Sequence, residues 1–332
     1  MRLCVKIYQV SMVLVLLTAC VGVGCVKGEG GSEGVEDIDF RQEMRQFVIE
    51  ISQYAKQHHA GFVVIPQNGA ELVTLDGESD GALADDYLTA IDAHGQESLF
   101  YGYDADDLPT PAAESDYMKA YLDRAKAAGK VILVTDYCFT TSKVADSYTK
   151  NAENGFVSFA ANSRGLDSIP PTPAMHENAA SIANLADIKN FLYLINPADY
   201  PTKDEFIAAV CATNYDAVIM DAFFEDGTVL FADDTEQLRK KANGGRRLVI
   251  AYMSIGEAED YRFYWQPSWN EHKPDWLDKE NPSWEGNYKV RYWKASWKSI
   301  IYGNENAYLD RILASNFDGV YLDIIDAFEY FE

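Results

Sequence analysis

Short apolar, β-branched runs recur along the chain with amphipathic stretches between them, the alternation of a parallel sheet covered by helices. Eight such runs stand out: Phe62 to Pro66, Ala90 to His94, Val131 to Thr135, Phe156 to Ala160, Phe191 to Ile195, Ala217 to Met220, Leu248 to Met253 and Gly319 to Leu322. Asp92 interrupts the second, which makes it the weakest of the set. Between the runs, apolar residues recur at spacings of three and four in Tyr117 to Ala128, Lys203 to Ala212, Asp234 to Ala242 and Glu305 to Ala314, as helices require. Gly129, Gly155 and Gly245 stand just before a strand, where a left-handed residue ends a helix. The pattern predicts an α/β fold of the (β/α)8 TIM-barrel class. An open doubly wound sheet is the alternative, and no Gly-x-Gly-x-x-Gly opens a helix after a strand to support it.

One helix is displaced. The sequence stops at Glu332, shortly after Asp323, which leaves the eighth strand almost no room for the helix that should follow it. Phe40, Met44, Phe47, Val48, Ile51, Tyr54 and Ala55 trace one apolar helical face ahead of the first strand instead. Packed between the last strand and the first, that helix would complete the ring of a circularly permuted barrel.

Arg2 and Lys6 precede an apolar stretch from Ile7 to Leu17, which ends in Leu17, Thr18, Ala19 and Cys20. The stretch is too short to span a membrane and reads as an export signal over residues 1–19 with Cys20 as the lipidated first residue. Cys25 is a weaker rival, because no large apolar residue stands three places before it. Residues 20–37 are Gly-rich and suit a flexible tether, leaving residues 38–332 for the barrel. The expectation is an exported protein, lipid-anchored to a bacterial cell envelope and touching the membrane through the anchor alone.

The formal charge is −24, and loss of Arg2 and Lys6 with the signal makes it more negative. Nucleic acid is excluded as a partner, since a polyanion needs a basic stripe. A cationic or neutral ligand fits better. Without Cys4 and an acylated Cys20, Cys25, Cys138 and Cys211 remain, with no metal-ligand spacing and no disulfide framework. We expect a monomer with no cofactor and no metal.

Barrel chemistry sits at the C-terminal ends of strands, and the residues there are unusually polar. Gln67 and Asn68 follow the first strand, His94 to Glu97 the second, Asp136 and Tyr137 the third, Asn196 the fifth and Asp221 the sixth. Ser254 and Glu257 follow the seventh, Asp323 and Asp326 the eighth. A single Asp at a strand end is more often a turn or cap residue, but a row of them points to a site. All six tryptophans (Trp265, Trp269, Trp276, Trp284, Trp293 and Trp297) fall in the connection between the seventh and eighth strands. Aromatic faces bind sugar rings and cations, although such a long connection also needs rings to pack itself, and half of them are expected to do only that. Carboxyls beside aromatic platforms are the parts of glycoside hydrolysis. Neither a Gly-x-Ser-x-Gly elbow, a His-Glu-x-x-His motif nor a Walker loop is present. A divalent ion held by Asp136, Asp221, Asp323 and His94 is the competing use of the same side chains.

Leu248 to Arg262, Val290 to Trp293, Phe317 to Asp323, Ile65 to Gly69 and Gln96 to Tyr101 resemble exported barrels related to glycoside hydrolase family 114, typified by endo-α-1,4-polygalactosaminidase. Some of those relatives carry the label cysteinyl-tRNA-synthetase-related, a role that the export signal argues against. In the family the segments equivalent to 256–260 and 318–323 precede those equivalent to 66–68 and 96–100, whereas here they follow, as a permutation requires. The resemblance implies cleavage of an amino-sugar polysaccharide, with Asp323 and Glu97 as the catalytic carboxyls, Glu97 being the general acid with a raised pKa. Gln67, Asn68, Asp136, Tyr137, Asp221, Tyr252, Ser254, Glu257, Tyr292, Trp293 and Asp326 are the expected substrate-binding residues. The Asn that usually follows the catalytic Asp is Ile324 here. A non-catalytic, carbohydrate-binding surface lipoprotein is the competing reading of the same residues.

Overall fold

The apolar face expected at residues 40–55 forms a helix, α1 (Phe40–His58), with Met44, Phe47, Val48, Ile51 and Ala55 all buried. The computed structural model describes residues 38–332, so the expected export signal (1–19) and tether (20–37), with Cys20 and Cys25, lie outside the described residues. The elements that follow α1 are β1 (Val63–Pro66), α2 (Asp85–Ala90), β2 (Ala93–Glu97), α3 (Ala112–Ala127), β3 (Val131–Tyr137), α4 (Thr141–Glu153), β4 (Val157–Ala161), β5 (Phe191–Tyr193), α5 (Lys203–Cys211) and β6 (Ala217–Asp221). After these come α6 (Ala232–Leu238), β7 (Leu248–Ser254), β8 (Glu257–Glu259), β9 (Leu277–Glu280), β10 (Asn287–Val290), α7 (Ala295–Ile301), α8 (Tyr308–Ala314) and β11 (Gly319–Asp323). A 3-10 turn, Ile325–Tyr330, ends the chain. Among the described residues no helix is long and apolar enough to cross a membrane.

All eight apolar runs correspond to parallel strands, with one shift of register. The second strand is Ala93–Glu97, and Ala90 instead closes α2. Its sequence has no β-branched residue, so the apolar pattern marks the wrong stretch. Gly95 is required at its centre, because a Cβ there would collide with the Tyr321 hydroxyl. Gly129 and Gly155 take φ of 84° and 66° as expected, whereas at the third junction Gly244 (φ 89°) adopts the left-handed turn and Gly245 does not.

The hydrogen-bond ladders of the eight strands do not run continuously round a barrel: they form two parallel sheets. One runs β5-β6-β7-β11-β1 and the other β2-β3-β4. Between β1 and β2, Asp92 N donates to Val64 O (2.9 Å) and Asn68 N to Gly95 O (2.9 Å), but the Asp92 carboxylate takes the Val64 N–H (2.9 Å). Beside β4, the rings of Phe159 and Phe191 place β5 next to it, 5.9 Å between centroids. No ladder forms at that seam because Ile195 and Asn196 give their N–H groups to Leu166 O (3.0 and 3.2 Å), in the loop after β4.

Helix α1 lies between elements from the two ends of the parallel set. Tyr54 donates to Asp310 on α8 (2.5 Å) and Lys298 on α7 to Glu50 (2.8 Å), while Ser52 reaches the Ala90 carbonyl at the end of α2 (2.6 Å). Arg41 pairs with Glu332 at 2.9 Å. The connection between β7 and β11 contains an antiparallel sheet, β8-β10-β9, that the sequence pattern does not reveal.

Candidate active site

Because every parallel strand runs the same way, the last residue of each comes to one end of the sheets. Gln67, Glu97, Tyr137, Tyr193, Asp221, Tyr252 and Asp323 line one cavity of about 460 Å³. Asn68, Glu257, Glu259, Arg262 and Trp284 complete its wall. The cleft continues past Asp221 and Arg262 towards Phe224 and Asp226, and on the other side past Glu97 towards Tyr103, Asp326 and Glu329.

The central feature is a pair of carboxyls that share one donor. Gln67 Nε2 donates to Glu97 Oε2 at 2.7 Å and to Asp323 Oδ1 at 3.2 Å. The two acceptor oxygens can be no further apart than those two bonds laid end to end, so the two carboxyls stand close together. Glu97 also accepts from Asn68 Nδ2 (3.1 Å) and from the Tyr137 hydroxyl. Asp323 accepts from the Tyr252 hydroxyl (2.7 Å) and from the Ile324 backbone N–H (2.8 Å). All these partners except the two phenols are neutral throughout the ordinary pH range, and the phenols are held protonated: burial and the nearby carboxylates push Tyr137 and Tyr252 well above their usual value.

Among the described residues no cation forms an ion pair with either carboxyl, although Arg164 lines the same cavity. Burial, and then the charge of Glu97, push the Asp323 carboxyl up to about 8. Asp326, on the 3-10 turn behind Asp323, is pushed up to about 7 by burial and by Glu329. The backbone around the pair is bent tightly, with Asn68, Ser98 and Ile324 at φ of 61°, 56° and 58°. For Ile324 this is a strained conformation that Asn would adopt more readily.

Asp221 and Glu259 form a second acidic pair at the same end of the strands, and they do have a cation. Arg262 Nη1 bonds both Asp221 oxygens (2.9 and 2.7 Å), and its Nε bonds Glu259 (2.5 Å). Glu257 is buried on Lys289 (2.7 Å) and Asn281 (2.8 Å).

Several expected substrate-binding residues lie elsewhere. Asp136 faces away from the cleft and is consumed by the N–H of Phe100 (2.8 Å), Ser147 (2.7 Å) and Asn151 (3.0 Å), which hold the 98–101 loop to α4. Ser254 is buried and donates to Glu257 O (3.1 Å). Tyr292 bonds Phe40 O (2.7 Å), and Trp293 packs on Phe40 and Phe331, both remote from the cavity. Asp326 borders the side branch beyond Glu97. Of the tryptophans, Trp284 alone lines the cavity; Trp265, Trp269, Trp276 and Trp297 stack on one another with centroids about 5 Å apart. Tyr193, Arg164, Glu259, Tyr261 and Arg262 line the cleft without having been singled out. Tyr193 could have been found as the last residue of its strand, but the more polar Asn196 drew attention from it. Asp136, Asp221, Asp323 and His94 do not converge: His94 is fully buried without a hydrogen-bond partner, and burial lowers its pKa to about 4. Among the described residues no group of three or more His, Cys, Asp or Glu side chains is placed to hold a metal ion.

Residues 189–332 match the model of glycoside-hydrolase family GH114. That part of the chain is similar to family GH114. The matched segment carries Asp221, Tyr252, Glu257 and Asp323, while Gln67, Asn68 and Glu97 lie outside it. An uncharacterized protein of Methanocaldococcus jannaschii is 40% identical over 153 residues, covering 46% of this chain and 42% of its own length. One from Thermotoga maritima is 38% identical over 141 residues (42% and 40% covered), and one from Deinococcus radiodurans 44% over 121 (36% of each). The chain thus spans less than half the length of the curated relatives it matches. Among solved structures, the Aspergillus fumigatus Ega3 complex with galactosamine is similar at 18% identity over 49% of this chain and 50% of that one, with a TM-score of 0.27.

Proposed function

We propose that this protein is a retaining glycoside hydrolase that cleaves an amino-sugar polysaccharide, with Asp323 as nucleophile and Glu97 as acid and then base. The observation that carries the reading is the pair itself: two carboxyls at the ends of the strands that flank β1, held close together through one amide nitrogen, as a retaining mechanism requires. In the first step Asp323 bonds the anomeric carbon as the glycosidic C–O bond breaks, and Glu97 gives its proton to the departing oxygen. In the second, Glu97 takes a proton from water, whose oxygen displaces Asp323. A protonated amino sugar beside the pair would lower the raised Asp323 carboxyl, and the proton that Asp323 gives up would pass to Glu97, which then delivers it to the departing oxygen. The formal charge of −24 favours the same class of polymer.

The wider architecture belongs to the same proposal. The eight parallel strands read as a (β/α)8 barrel whose chain has been permuted, with α1 filling the place of the helix after the last strand. The N-terminus reads as a lipoprotein signal with Cys20 acylated, so that the hydrolase is exported and membrane-tethered. Loss of palmitate labelling in a Cys20→Ser variant is the result that checks the anchor.

The deciding experiment incubates the protein with de-N-acetylated galactosamine polymer and counts new reducing ends. With an activated aryl glycoside, azide should rescue Glu97→Ala with retention and Asp323→Ala with inversion of the glycosyl azide; the opposite pairing would exchange the two roles. Saturable binding of polymer without new reducing ends would support a carbohydrate-binding lipoprotein instead.

A further inference from the structure

Gln67 occupies a position that nothing in a simple two-carboxyl mechanism calls for. Its backbone is pinned to both strands that carry the pair: its N–H donates to Leu322 O (2.8 Å), one residue before Asp323, and it bridges to Gly95, two residues before Glu97. Its side chain is 2% exposed, so it offers a ligand almost no surface. An amide nitrogen has two hydrogens, and here each has its own carboxylate. The carbonyl end accepts from the Tyr193 hydroxyl at 3.1 Å. That bond fixes which end faces the pair, since the reversed amide would set an oxygen against two carboxylates.

We propose that Gln67 is a positioning residue that couples the two carboxyls: its amide, oriented by Tyr193, holds Glu97 and Asp323 at one spacing and stabilises the ionised form of Asp323. The purpose of the coupling rests on the hydrolase reading, but its test does not. A cation at this position would neutralise the pair permanently, as Arg262 does for Asp221 and Glu259. A carboxylate would add a third negative charge. The amide is the polar group that can donate to both without exchanging a proton with either, and in a low-dielectric setting two such bonds count for more than in water. The other groups that bear on Asp323 are Glu97 from β2, Tyr193 from β5, Tyr252 from β7, Tyr321 from β11 and Asp326 from the terminal turn; Arg164, over the Tyr137 ring at 4.1 Å, is the cation nearest the Glu97 side.

The test is a carboxyl titration by NMR of the full chain labelled with 13C in Asp and Glu. Gln67→Met keeps the volume and removes both donors; the Asp323 midpoint should rise by about one to two pH units, the equivalent of one hydrogen bond to a charged group. Tyr193→Phe retains Gln67 and leaves the fold least disturbed, and should move the same midpoint in the same direction by less. If the protein cleaves polymer, Gln67→Met should lower kcat about 10- to 100-fold on the acidic limb by the same conversion, with KM unchanged. Midpoints unmoved in both variants, or a rise in KM alone, would overturn the coupling and make Gln67 a substrate contact. A moved midpoint in a protein that cleaves nothing would leave the coupling standing and remove the hydrolase reading; an active protein with unmoved midpoints would do the reverse.

Discussion

Two acidic pairs stand at the same end of the strands, and they differ in one respect. Asp221 and Glu259 are bridged by Arg262, which bonds both within 2.9 Å and stacks against the Tyr261 and Tyr308 rings. Glu97 and Asp323 are bridged by Gln67. A guanidinium settles the charge of its pair and leaves little for a ligand to change. An amide organises its pair and leaves the charge unsettled, so the proton balance there responds to whatever enters the cleft. Carboxyls alone therefore do not distinguish a reactive pair from a structural one; the group between them does.

The comparison is broken most directly by removing one carboxyl at a time. Asp323→Asn and Glu97→Gln should each lower kcat on polymer by about 10²- to 10⁴-fold, the range expected for a proton-transfer or nucleophilic group. Asp221→Asn should leave measurable turnover, since Arg262 and Glu259 keep the wall in place. Equal losses at all three positions, in a reducing-end assay, would erase the distinction between the pairs.

Stability should separate them in the opposite sense. Arg262→Met strands two buried carboxylates and should cost about 3 to 5 kcal/mol in chemical denaturation. Gln67→Met strands a pair that has no ion pair among the described residues, so its cost should be smaller. A cost at Arg262 no larger than at Gln67 would mean that the cation contributes little.

The sequence made the proposed catalytic pair legible and the other strand-end acids misleading. Asp323 and Glu97 end parallel strands, so counting apolar runs places both in the polar row even with the second strand misplaced by three residues, but only the family resemblance picks these two out of it. Asp136 looks the same in sequence as Asp221, one residue past an apolar run, yet the pleat turns Asp136 outward to Ser147 and Asn151. Alternation along a strand resolves inward from outward only when register is known. The tryptophans misled for another reason: the antiparallel sheet within their connection has short strands without alternation, so its need for packing rings is invisible until it is seen. Gln67 was legible as a strand-end residue but not as a bridge, because bridging depends on three strands meeting.

The Asp323 carboxyl also ties the comparison to pH. Its value in the fold lies above the ordinary 3.8, at about 8, so the fold favours the protonated form. That contribution is fully present below about pH 3.8 and is lost as pH rises towards 8. Asp323→Asn, which cannot ionise, should therefore melt higher than the parent protein at pH 8, with the gain shrinking to nothing near pH 4. Burial raises the Asp221 carboxyl too, against the lowering pull of Arg262, so Asp221→Asn should show a dependence of the same sign, offset by the loss of its ion pair. A gain for Asp323→Asn that is the same at both pH values would show that burial, not ionisation, limits stability at this position.

The smallest effect sharpens the comparison at the cleft mouth. Trp284 lines the cavity and is 46% exposed, whereas Trp297 is fully buried and donates its indole N–H to Ile255 O (2.8 Å). Trp297→Ala removes a core ring and should destabilise by about 3 to 5 kcal/mol. Trp284→Ala should leave the melting temperature nearly unchanged and weaken polymer binding about 2- to 5-fold, the scale of one exposed ring meeting a sugar or its ammonium. If isothermal titration found binding unchanged, the aromatic contribution to recognition would fall to Tyr261, which is 61% exposed further along the same cleft. Selectivity would then rest on the side of the structural acidic pair, and the reactive pair would contribute chemistry alone.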